Sequence, residues 1–385
     1  MNTSCKLLFL ALAFLPSLGL AQNATNVMED DLPLITAKDL DTQSLLKSLL
    51  WDQSGTVRTD LGYRDNVLSS PTNTLGSSYW GAGLDYSLTR LPLDGWGVNI
   101  TVTGDSIRYL QNVPTSGEDF WVGSESVKYM DGNWEYGFEA LENYVDQEEF
   151  ALVQNGLNVV DVRGALLTGK PYIRRDFGTN VWLQADFSGG RNWMADPIGD
   201  QWEFGPKGSL GWNPTSSSTL ILDEEVLRES NQQILVFNGD GSVNPGQTLA
   251  TWQSTSQLQW QQAWDSRRRL FTDIRLEFID SQDNGGGYFN FMEYRVAGRI
   301  RYDVKPWQVV GNLWTEWQEF PVQGVNVTSG PHLHVMTWHL DLRAERRITH
   351  WLALYAEYSY ERAVSNTLTD EYGMSNVTAG ASWDF

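Results

Sequence analysis

From residue 54 to the end of the chain, apolar and polar residues alternate in short runs separated by turn residues. A period of two sends successive side chains to opposite faces of a strand. In the last run Val377, Ala379, Ala381, Trp383 and Phe385 share one face, and Asn376, Thr378, Ser382 and Asp384 share the other. Within 287–304, Met292, Tyr294, Val296, Ile300 and Tyr302 oppose Glu293, Arg295, Arg299, Arg301 and Asp303. Within 268–282, Leu270, Ile274, Leu276 and Phe278 oppose Asp273, Arg275 and Glu277. Trp252, Leu258 and Trp260 oppose Gln253, Gln257, Gln259 and Gln261 in 248–264. Leu352, Leu354, Ala356, Tyr358 and Tyr360 oppose Tyr355, Glu357, Ser359 and Glu361 in 349–365. Read this way, the chain predicts strands over 54–68, 76–90, 96–109, 119–130, 132–147, 156–168, 178–193, 201–213, 218–230, 248–264, 268–282, 287–304, 306–320, 333–347, 349–365 and 372–385.

The connections alternate in kind. Leu91 to Gly95, Met130 to Asn133, Thr168 to Phe177, Asn213 to Ser217, Asp265 to Arg267, Lys305-Pro306 and Ile348-Thr349 read as one set, mostly short. The intervening ones are mostly longer and richer in turn residues, chiefly Asn231 to Gln247 and Gln323 to His332. Short turns on one side and longer loops on the other are the pattern of a transmembrane barrel. A soluble sandwich has no reason to sort its loops by parity, and its buried polar face would lack partners. The charged face of 287–304 must also line water, because an Arg facing lipid at mid-depth costs about 2–4 kcal/mol. The expected fold is therefore all-β, an antiparallel transmembrane β-barrel of about 16 strands spanning 54–385, wide enough to hold water. Trp96, Trp134, Trp212, Trp264, Trp307, Trp351 and Trp383 fall at strand ends, as an interfacial aromatic girdle requires.

The front of the chain differs. Lys6, the apolar run Leu7 to Leu20 and Gly19-Leu20-Ala21 read as a signal peptide over 1–21, leaving Gln22 first in the mature protein. The run is too short to span a bilayer as a helix. Cys5 is the one cysteine, so the mature chain offers no disulfide or thiol chemistry. Over 22–53, Leu40, Leu45, Leu46, Leu49 and Leu50 recur near helical spacing, with Asp41 or Thr42 as caps. This periplasmic lead-in reads equally as a short helix, an inward plug or a partly ordered segment.

Composition narrows the function. The chain is rich in Trp (18), Tyr (15) and Phe (15), as membrane girdles require. Without Lys6 there are 26 basic residues against 48 acidic ones, which excludes a nucleic-acid footprint. The loops expected outside carry Glu118, Asp119, Glu148, Glu149, Asp196, Asp200, Asp240, Asp370 and Glu371, while Lys170, Arg174, Arg175, Arg267 to Arg269, Arg346 and Arg347 fall on the opposite side.

The closing run to Phe385 resembles the last strand of bacterial outer-membrane β-barrels. That resemblance implies a place in the cell outer membrane, among its lipid and lipopolysaccharide. It also implies an assembly signal carried by Trp383 and Phe385 and read by the barrel-assembly machinery. Residues 59–68 are similar to the first strand of barrels from exopolysaccharide and surface-protein export systems, though the helical repeats of those proteins are missing here.

The inward faces hold the candidate chemistry. One group is cationic and mixed: Arg275, Arg295, Arg299, Arg301 and Arg343, with Asp273, Glu277, Glu293, Asp341 and Glu345. The other is acidic or amide-lined: Glu135, Glu139, Asp161, Asp186, Asp223, Glu225, and the ladder that includes Gln257 and Gln259. Such walls select solutes, or their members pair across strands and stiffen the barrel. His332 and His334 have no third ligand at a telling spacing, His339 stands beside Asp341, and no Gly-x-Ser-x-Gly elbow occurs. The expectation is a non-enzymatic, cofactor-free, porin-like channel for small polar or charged solutes, either alone, as a homo-oligomer or with a periplasmic partner. The alternatives are an export port for a polysaccharide or surface molecule, docked through 22–53, and a structural or adhesive barrel plugged by its own loops.

Overall fold

The computed structural model describes residues 50–385 except 73, 93–94, 112, 154–155, 196–198, 325–329 and 368–369, and for 149–153 and 156–161 it describes the backbone alone. The signal segment and nearly all of the lead-in lie outside the described residues.

Sixteen strands form one closed antiparallel barrel in which each pairs with its neighbours in sequence. They are β1 (Trp51–Arg64), β2 (Ser77–Arg90), β3 (Trp96–Tyr109), β4 (Gly117–Asp131), β5 (Trp134–Val153) and β6 (Gly156–Phe177). Next come β7 (Val181–Met194), β8 (Gln201–Thr215), β9 (Ser218–Phe237), β10 (Val243–Ala263) and β11 (Leu270–Asp283). The circuit finishes with β12 (Phe291–Val304), β13 (Trp307–Gly324), β14 (His332–Arg347), β15 (Leu352–Ser365) and β16 (Tyr372–Asp384). β16 returns to β1 with Thr56 opposite Asp384 and Arg64 opposite Asn376.

Several stretches differ from the sequence expectation, among them β5, which continues to Val153 instead of ending at residue 147. β1 begins at Trp51 rather than at residue 54. The stretch 168–177 is strand, not turn, and the turn falls at 178–180 with Gly178 in the left-handed region (φ 71°). Gly169 and Pro171 imitate a turn in the sequence. The proline is tolerated because the β6–β7 ladder skips from Gly169–Gly189 to Tyr172–Asp186, so its missing N–H breaks no pair. The expected long loop Asn231 to Gln247 is mostly a hairpin that extends β9 and β10, with residues 238–242 at its tip.

The exterior is apolar between two aromatic belts. Near the short turns stand Trp51, Trp96, Trp134, Trp212, Trp264, Trp307, Trp351 and Trp383, and near the other rim Trp80, Trp121, Trp193, Trp202, Trp252 and Trp317, all pointing outward. Between them Leu61, Val127, Phe187, Leu210, Leu276, Val296, Leu313 and Leu354 also point outward; Leu61 is 65% exposed. In water such a surface would be an aggregation site; in a bilayer it is the solvated face. Arginines dress the belts, with Arg175 4.9 Å from the Trp134 ring, Arg346 5.6 Å from Trp307 and Arg191 5.1 Å from Trp202. Each guanidinium gains the ring's negative face while remaining at the level of the head groups.

After β1 the chain packs against the rim at residues 66–70. Asn66 and Leu68 are almost wholly buried. The Asn66 amide donates to the carbonyls of Ser70 and Gly373, and its oxygen accepts from the Ser70 N–H, each at 3.0 Å. Below it the Tyr79 hydroxyl donates to Asn376 at 2.9 Å and meets the Thr378 hydroxyl at 2.5 Å. These bonds tie the connection and β2 to β16 across the seam.

Candidate functional site: the charged lumenal wall

Away from this seam the barrel is hollow. A cavity of about 660 Å³ is lined by inward residues from β4 round to β13. The alternation that exposes one face of each strand to lipid delivers the other to this space.

Of the residues expected inside, Gln257, Gln259, Arg275, Glu277, Glu293 and Arg295 line the cavity. Gln257 donates to Asp223 at 3.3 Å, and Gln259 donates to Asp273 at 2.8 Å. Arg275 reaches Asp273 at 3.2 Å. Arg295 stands at the centre of a carboxylate triad, 2.9 Å from Glu277, 2.5 Å from Glu293 and 3.4 Å from Glu316. Glu293 and Glu316 are only 2% and 4% exposed, and Gln318 donates to the second oxygen of Glu293 at 2.9 Å. Arg299 and Arg301 share the inward face of β12; Arg301 lies 3.2 Å from Asp303 and 5.6 Å from the Phe271 ring.

Asp341 and Arg343 lie further round the wall. His339 is held between Asp341 at 2.8 Å and Glu361 at 3.0 Å, one carboxylate on each ring nitrogen. Arg343 bonds Glu345 at 3.0 Å and Glu357 at 3.4 Å, and lies 3.9 Å from the Tyr355 ring. Trp383 points outward within the belt, and Phe385 exchanges backbone hydrogen bonds with Gly55 at 3.1 and 2.9 Å. The structure therefore joins Gln257, Gln259, Asp273, Arg275, Glu277, Glu293 and Arg295 on β10 to β12, while Asp341 and Arg343 belong to a separate cluster on β14 and β15.

Several wall residues were not foreseen. Arg58 bridges Asp85 and Asp105, the latter at 2.9 Å. Lys207 lies 3.2 Å from Asp223, and Lys170 and Lys207 both reach the cavity. Glu203 and Glu229 face each other directly across the β8–β9 ladder, and both line the cavity. Parity marks all of these as inward, but Pro206 beside Lys207 and Pro171 beside Lys170 hide the run. Two tryptophans break the outward rule: Trp182 lines the cavity, and Trp314 is buried on the inward side and stacks on His339 at 5.4 Å and 12°. For Trp314, parity with Asn312 and Glu316 was the available signal.

At the rim opposite the short turns the wall becomes apolar. Ile234, Phe237, Leu249 and Phe289 form one cluster, with Val243 and Tyr288 against it, and Ile234, Leu249 and Phe289 also line the cavity. The β9–β10 hairpin is tied to the connection 284–290: the Asn284 side chain accepts from the Ala250 N–H at 3.0 Å and donates to the Thr248 carbonyl at 3.1 Å. The Asp283 carboxylate in turn accepts from the N–H groups of Gly285, Gly287 and Phe289 at 2.8 to 2.9 Å.

A closed cylinder of sixteen antiparallel strands, apolar outside, belted twice by aromatics and lined with charge, is an outer-membrane β-barrel. No family model matches the sequence, and no curated protein does. Solved structures similar to it in shape include an anion-selective porin from Comamonas acidovorans, 11% identical over 87% of this chain and 99% of that one, TM-score 0.44. Another is OmpT, an outer-membrane protein of Vibrio cholerae in a form lacking loop L8, 12% identical over 87% and 99%, TM-score 0.44. A third is a bacterial polysaccharide outer membrane secretin, 11% identical over 86% and 97%, TM-score 0.40.

Proposed function

We propose that the barrel is a porin-like channel through which small polar or charged solutes pass passively. The single observation carrying this reading is the hollow of about 660 Å³ within a closed cylinder, walled by charged and amide side chains. A barrel made only to hold its shape gains nothing from buried charge, since desolvating ions costs several kcal/mol each unless they are well paired. A water-filled path removes much of that cost and uses the field. The chemistry is non-enzymatic in this reading: both ring nitrogens of His339 are engaged by carboxylates, which leaves it no nucleophile to activate.

The apolar rim favours a second reading, in which the same passage is narrowed by the β9–β10 hairpin and opens only intermittently. Planar-bilayer recording of the purified protein tests both. Steady current supports the open channel, brief openings support the narrowed one, and silence over the whole voltage range refutes both.

A further inference from the structure

Three bases of the lumenal wall are outnumbered by the carboxylates they pair with. Arg295 serves Glu277, Glu293 and Glu316, Arg58 serves Asp85 and Asp105, and Arg343 serves Glu345 and Glu357. Three carboxylates around one guanidinium leave a net charge of −2 at Arg295, and −1 if one of them holds a proton. Glu203 and Glu229 add a like-charged pair directly across a ladder. Like charges opposed in this way destabilise a sheet unless something positive comes between or beside them. The strongest basic stretch, on β11 and β12, does not reverse the balance: Arg275 is matched by Asp273 at 3.2 Å and Arg301 by Asp303 at 3.2 Å.

We propose that the lumen selects small cations, inorganic monovalent ions and compact organic ammonium ions, over anions. This rests on the passage proposed above and names what passes. A mobile cation gains Coulomb energy at each under-neutralised cluster, and it leaves easily because the clusters are spread along the wall. An anion meets the same clusters as barriers. Two separate groups supply the field, the Arg295 triad and the Glu203–Glu229 pair, and both border the same cavity.

The test is the reversal potential of the full-length protein in a planar bilayer under a KCl gradient, repeated with tetramethylammonium chloride. The expected sign is that of cation preference in both salts. The variants E203Q/E229Q and E293Q/E316Q keep hydrogen-bonding capacity while removing charge. Each is expected to shift the reversal potential toward zero, with folding checked by heat-modifiable gel mobility. An open channel whose potential has the anion sign overturns the cation assignment and leaves the passage standing. So does a cation-preferring channel whose potential neither variant moves. Absence of any current overturns the passage and the assignment together.

Discussion

Trp121 covers Gly104, its direct partner across the β3–β4 ladder, so closely that a Cβ at Gly104 would stand 2.1 Å from the Trp121 ring. The motif recurs. Tyr79 covers Gly62, Tyr172 covers Gly137, Trp182 covers Gly211 and Tyr355 covers Gly380, each a directly opposed pair. An aromatic ring laid over a cross-strand glycine pins register, because a one-residue slip would put a side chain in its place.

Gly104→Ala should therefore destabilise the barrel by about 1–3 kcal/mol, the usual cost of overpacking. Gly208→Ala, where a Cβ meets nothing within 4 Å, should cost far less. Urea midpoints followed by tryptophan fluorescence compare the two, and equal midpoints would show that the Trp121 ring yields freely.

Replacing Arg295, Arg299 and Arg301 together by Ala should move the reversal potential further toward cations. The three share the inward face of β12, so their loss deepens the negative field. An unmoved potential would place permeating ions out of their reach.

Asp283 braces the connection whose Asn284 holds the β9–β10 hairpin. Asp283→Ala removes the acceptor for the N–H groups of Gly285, Gly287 and Phe289 and loosens the apolar cluster at the rim. Single-channel records should show larger or longer openings than the parent protein. Identical records would mean that the rim does not limit flow.

In the β10–β11 turn, Asp265 accepts from the Arg269 N–H and guanidinium, both at 2.6 Å, and these bonds hold its carboxyl below the usual range. A depressed folded value means stability that is fully present above the unfolded carboxylate pKa. It disappears as pH falls through the folded one. Asp265→Asn should thus lose a little stability relative to the parent at neutral pH, and the gap between the two thermal midpoints should close as pH falls through that acid window.

Much of this architecture was legible because a barrel strand carries two environments in one period. Leu276 and Glu277 are neighbours in sequence, yet one faces lipid and the other the cavity. Parity alone placed Arg275, Glu293 and Arg295 inside. What parity cannot supply is the neighbour across the ladder. The Arg295–Glu316 contact depends on the pairing of β12 with β13, and the Glu203–Glu229 opposition on that of β8 with β9. Turn chemistry misled where prolines sit inside strands, as at Pro171. The tip between β9 and β10 was overestimated because Asn231 resembles a loop residue. In fact its side-chain oxygen accepts from the N–H groups of Gln233 and Ile234 and carries the strand across an irregular step.

All the strand pairs but one join neighbours along the chain, and the exception is the meeting of β1 with β16. That seam is also short: β1 meets β2 from Trp51 onward but meets the closing strand only from Gly55 onward. Hairpins can accumulate one after another without it, so sealing it is the step that commits the cylinder. Under load the wall should unzip there first.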